Sequence, residues 1–238
     1  MTALRRVPAE VWTAVVIVAV VIAVFLVGKA NPIPPPPVTT DALGPAAGET
    51  AAEYTARAAA SLQPRGTPDA EHDPSEALHW ALVSFDQGVG AEDAARAVAP
   101  VRISEVLSHV PVDGAQTPVT PVQVPATDDP AAMVARAESR AADVVAQRTG
   151  LAAAGRYAAG AGNAAGAGNA AGAGSTTAAA VVDGLRGGCA CVMALVVHGT
   201  LGDLRAVADR PGVLAVEALP ADAVFGRFAV RPPVQYLD

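Results

Sequence analysis

Cys191-Val192-Met193-Ala194-Leu195-Val196-Val197-His198 sets the architecture of this chain. Every member from Val192 to Val197 is apolar, over a length that suits one strand. Alternate residues of a strand point to opposite faces, so this one has no side to offer to water. It belongs in the interior of a sheet covered on both sides.

Working downstream, Thr200-Leu201-Gly202-Asp203 resembles a capping box with Asp in place of Glu. It opens a helix with Leu201, Leu204 and Val207 or Ala208 inward, and Pro211-Gly212 closes it. Val213 to Leu219 is a second strand, and Phe225 to Val230 holds a last short one.

Upstream the same plan recurs. Leu78 to Asp86 reads as a strand, with Trp80, Val83 and Phe85 supplying burial, and Gly88 and Gly90 break it. Ala91, Ala94, Ala95 and Val98 then share one helical face, Glu92 and Asp93 occupy the first turn, and Pro100 ends the helix. Val101 to Val110 returns as a strand whose alternation fails around Glu105-Val106, the mark of a bulge or an edge. Asp113-Gly114 signals a hairpin turn, and the prolines of Thr117 to Pro125 confine the following segment to a sheet edge.

Two strand–helix–strand halves predict an α+β, ferredoxin-like fold, with one antiparallel sheet and helices on one face. Asp128-Asp129-Pro130 opens a further helix to about Thr149, with Met133, Val134, Val144 and Val145 among its apolar members. Covering the open face and lying solvated are both compatible with that pattern. Gly160 to Gly174 repeats Gly, Asn and Ala, a low-complexity linker with no packing payload.

Val11 to Gly28 contains no charge and one polar residue, Thr13. As a helix it would span roughly 27 Å, close to a bilayer core of about 30 Å. Arg5 and Arg6 precede it, Trp12 stands at an interfacial position, and only Lys29 follows, so the positive-inside rule keeps the N-terminus cytoplasmic. A cleaved signal peptide and an uncleaved anchor are the two readings. The apolar run exceeds the usual signal core of about 7–15 residues, which favours the anchor. Either way residues 31–238 lie outside the cytoplasm. The expected plan is a cytoplasmic tail 1–10, an anchor 11–28, and a Pro/Ala-rich stalk 29–74 with one short helix from Glu49 to Leu62. The first half 75–125, a helix 126–158, a disordered linker 159–183 and the second half 184–238 follow.

That placement bears on the only two cysteines, Cys189 and Cys191. Extracytoplasmic thiols tend to oxidise in pairs. Residues i and i+2 of a strand stand roughly 6.5–7 Å apart, at the long limit for a disulfide, so a bridge needs a kinked strand start. Gly187-Gly188 supplies the freedom for one. Two buried free thiols and a bridge to a second copy are the other readings.

The chain carries a net charge of −7 with residues 1–30 at +2, which leaves −9 on the remainder and no basic stripe. Nucleic acid is therefore not an expected partner. Aromatics are only 4% of the residues, and Ala and Val dominate the 52% apolar share, so the core is built from small side chains. No catalytic, metal-ligating or cofactor-binding constellation stands out. His79 and His198 fall within strands, Glu71-His72-Asp73 lies in a polar linker, and Gly88-Val89-Gly90 lacks the rest of a phosphate-binding loop.

Ala81-Leu82-Val83-Ser84-Phe85, the Val101–Val110 strand with its hairpin, and Gly188-Cys189-Ala190-Cys191-Val192 resemble segments of uncharacterised single-pass membrane proteins of actinobacteria. No activity is implied by that resemblance. Leu204 to Glu217 is similar to the second half of subtilisin-type propeptides and related protease inhibitors, which implies a ferredoxin-like fold and inhibition in trans, with the tail from Phe228 to Asp238 entering a protease cleft. The expectation is a membrane-anchored extracytoplasmic interaction or sensory domain, not an enzyme, whose partners are the lipid bilayer, through 11–28, and an extracytoplasmic protein. A propeptide-like inhibitor is the alternative, and a redox or hydrolytic enzyme a distant one.

Overall fold

In the computed structural model the chain divides into two compact units, 1–38 and 39–238. The structure describes residues 41–64, 76–150 and 169–234, together with Val18 and Val20. The span 11–28 read as an anchor otherwise lies outside the described residues, and no helix among those described is long and apolar enough to cross a membrane.

The second unit is α+β, with five helices among the described residues and a five-stranded sheet in which every neighbouring pair is antiparallel. Along the chain run β1 (Ala42–Leu43), α1 (Ala51–Ser61), β2 (Leu78–Val89), α2 (Ala91–Val98), β3 (Arg102–Ser108) and β4 (Thr120–Gln123). Then come α3 (Pro130–Arg148), α4 (Asn169–Arg186), β5 (Val192–Thr200), α5 (Leu201–Ala208), β6 (Val213–Ala218) and β7 (Ala229–Val230). The sheet order is β4-β3-β5-β2-β6, and β1 and β7 form a separate parallel pair.

β5 is the middle strand, and Val192 to Val197 are all fully buried. Each Val, Leu or Met there contributes about 1.5–3 kcal/mol by leaving water. One face of the sheet packs against α2, α3, α4 and α5 through Val83, Val106, Leu195, Leu204, Val134 and Val181. The opposite face carries Leu82, Leu107, Met193 and Val196, and it is covered by Leu43 and by Phe225, Phe228 and Val230 near the C-terminus. The α3 helix is thus a covering helix. Asp129 caps it by accepting from the Ala132 N–H at 3.0 Å.

The edges follow from local chemistry. Pro121 and its proline neighbours hold β4 at one edge. In β3 the register against β5 shifts between Ile103 and Glu105, so the lost alternation there marks a bulge. β6 forms the other edge, and α1 packs along it with Tyr54 and Ala58 against Ala215. The Ala218 N–H donates to Ser61 Oγ at 2.8 Å. Thr50 and Glu53 close a capping box that starts α1. The Arg205 guanidinium donates twice to the Leu62 carbonyl, at 3.0 and 2.6 Å, and pins the end of α1 to α5.

Three segments differ from the sequence reading. Residues 41–64 fall inside the expected stalk, yet Leu43 and Tyr54 are completely buried, so folded structure begins ahead of Ser75. Part of the expected linker 159–183 belongs to α4, where Ala178, Val181 and Val182 pack into the core. The last strand is the two-residue β7, which pairs with β1 and stays out of the main sheet.

Candidate functional site

Three features carry the chemistry of the described residues. The first is the Cys189–Cys191 turn. The α4 helix ends at Arg186, Gly188 takes φ +72°, and the Cys189 N–H donates back to the Gly184 carbonyl at 3.3 Å. A left-handed residue just past a helix is a common glycine terminator. The reversal brings the cysteine Cα atoms to 5.1 Å and the sulfurs to disulfide distance, the kinked strand start that the spacing required. Cys191 is buried and Cys189 half-buried. The Cys191 carbonyl accepts from the His109 N–H at 2.8 Å, which ties the turn to the end of β3. From beneath, Gly88 approaches so closely that a Cβ there would collide with the Ala190 carbonyl oxygen.

The second feature is a row across three strands. Arg102 lies opposite His198, and His198 opposite Trp80. Direct cross-strand partners share a face. The His198 ring stacks on Trp80 at 4.2 Å, and Phe225 and Phe228 complete the cluster with centroids 4.7 and 6.2 Å from Trp80. All four rings are half-buried, and Arg102 is exposed. Burial, then Arg102 and His79, hold the His198 pKa below its ordinary value, so the ring is neutral near pH 7. The row offers ring faces beside one cation, a surface suited to contact, and it has no paired acid and base.

His79 is a structural histidine. Its Nδ1–H donates to the Leu219 carbonyl at 2.7 Å, which fixes the tautomer because a carbonyl only accepts. Nε2 is then the acceptor nitrogen, buried and without a partner. A small cavity of about 150 Å³ lies there, lined by Ser61, Gln63, His79 and Leu201 among others.

The third feature joins Glu217 of β6 to Arg57 of α1. The Arg57 guanidinium donates to Glu217, to Glu49 at 2.8 Å and to the Gly44 carbonyl at 3.1 Å, while the Gly44 N–H donates to Glu217 at 2.6 Å. Burial pushes the Glu217 pKa up, against the downward pull of Gly44 and Arg57. Arg57 holds Glu49 down to about 2. One sign of this node is present in the sequence, the lone acid Glu217 in the apolar run Val213–Ala218, but nothing local marks Arg57 as its partner.

Of the residues singled out from sequence, Cys189 and Cys191 are brought together. Arg5, Arg6, Trp12 and Lys29 lie outside the described residues, as does Glu71-His72-Asp73. Among the described residues no group of three or more His, Cys, Asp or Glu could hold a metal. The tail read as an inhibitory segment packs on the domain's own sheet through Phe228, Val230 and Val234. Comparison with protein-family models, curated proteins and solved structures gives no match.

Proposed function

We propose that this chain is an extracytoplasmic interaction or sensory domain without enzyme activity, anchored in the bilayer through residues 11–28. The observation that carries the reading is the cysteine pair: two thiols held at disulfide distance suit an oxidising compartment. The acidic charge and the ring row of Trp80, His198, Phe225 and Phe228 suit a protein partner better than a nucleic acid. We further infer a ferredoxin-like arrangement. The order β3-β5-β2-β6 interleaves the two strand–helix–strand units, β2-α2-β3 and β5-α5-β6, as that plan requires. The docking of Phe228 and Val230 on the sheet counts against a tail free to enter a protease cleft.

The test is to alkylate intact cells and recover the chain without reductant. Neither cysteine should take the label, and the mass should be two units below that of the dithiol. Two labelled thiols would overturn the extracytoplasmic placement.

A further inference from the structure

One buried acid is left over by the fold. Glu138 lies on α3 at 2% exposure, and its Oε1 has no hydrogen-bond partner. Helical spacing sets Val134 and Ala142 one turn to either side of it, and Ala141 and Val145 on the same face. All four are buried.

Among the described residues, the elements packed against α3 bring it no cation. On α2, Arg96 is taken by Glu92 and Asp93 at the surface. On α4, Arg186 pairs with Asp143 and Asp183 is exposed. β3 carries exposed Arg102 and half-buried Glu105, and β4 has no charged residue. A carboxylate in this setting gives up most of its water, with no hydrogen bond to Oε1 and no cation beside it, whereas the neutral acid gives up far less. Burial accordingly pushes Glu138 up to about 7.

We propose that Glu138 is a proton-binding site that latches α3 onto the sheet and α4. Protonated, the side chain stays within the apolar stripe. Ionised, having passed its proton to water or a buffer base, it draws α3 outward to hydrate the charge. The ligand is the proton itself, and the device goes beyond the proposed role because it holds for this fold whatever partner the domain meets. The folded-state value lies above the ordinary 4.5, so the stabilisation is fully present below about pH 4.5 and is lost as pH rises through about 7. Glu105 and Glu217, also raised by burial, act in the same direction, so substitution must isolate Glu138.

The experiment follows hydrogen exchange of the α3 amides in the full chain in mild detergent, at about pH 5.5 and about pH 8.5, corrected for intrinsic exchange. Wild-type α3 should lose roughly thirtyfold more protection across that interval than Glu138→Gln or Glu138→Leu, whose side chains never ionise. Equal losses in wild type and variants would overturn the proposal, as would no loss in wild type. Should the Gln variant fail to fold, Glu138→Leu decides. Carbon-13 titration of the wild-type glutamates is an independent reading. A carboxyl signal absent from Glu138→Leu should move with a midpoint near 7, and a midpoint below about 5 would sink the idea.

Discussion

The Arg57 guanidinium reaches Glu49, Glu217 and the Gly44 carbonyl, so a single side chain joins the turn after β1, the start of α1 and the edge strand β6. Truncating it would leave Glu217 buried with only the Gly44 N–H as donor. Arg57→Ala should therefore destabilise the chain by about 2 kcal/mol, measured by urea unfolding near pH 7. Adding Glu217→Gln should recover part of the loss, since the orphaned charge is then gone. Full additivity of the two substitutions would mean that the pair is not coupled. Residues of this kind leave little trace in sequence, because Arg57 and Glu217 are 160 positions apart. Cys189 and Cys191 were readable because their pairing is local, with the glycines that permit it alongside.

Elements were readable where composition and position agree. β5 is apolar on both faces and sits mid-sheet, β4 is held to an edge by proline, and the failed alternation of β3 is a bulge. The α1 helix was legible as the short helix from Glu49 to Leu62, but its place in the core was hidden by surroundings that look like a stalk, and α4 was hidden altogether in a Gly- and Ala-rich stretch that looks like a linker. Their burial depends on a few residues, Tyr54 and Ala58 in one and Val181, Val182 and Leu185 in the other, and only the sheet they meet shows those to be core. Because α1 covers β6 and Ser61 takes up its Ala218 N–H, removing residues 41–64 should bare a row of unpaired backbone groups. We expect that deletion to convert a monodisperse chain into higher oligomers by analytical ultracentrifugation. Sedimentation unchanged from wild type would show that α1 does not guard the edge.

At the scale of the whole molecule, the second unit closes on itself. β1, near its start, and β7, near its end, run parallel, with the Ala229 N–H donating to the Asp41 carbonyl and the Arg231 N–H to that of Leu43. Phe225 and Phe228 pack on the same side of the sheet as Leu43. This pairing has a mechanical consequence. Tension applied between the two ends pulls parallel strands in opposite directions along their length, so the bonds between β1 and β7 share the load and do not unzip one at a time. A domain tethered at one end and gripped by a partner at the other would hold until that clasp shears, and then yield abruptly. In single-molecule pulling, Ala229→Pro, which removes the donor to the Asp41 carbonyl, should lower the first rupture force while leaving later events unchanged. An unaltered first event would mean that load enters the sheet by another route.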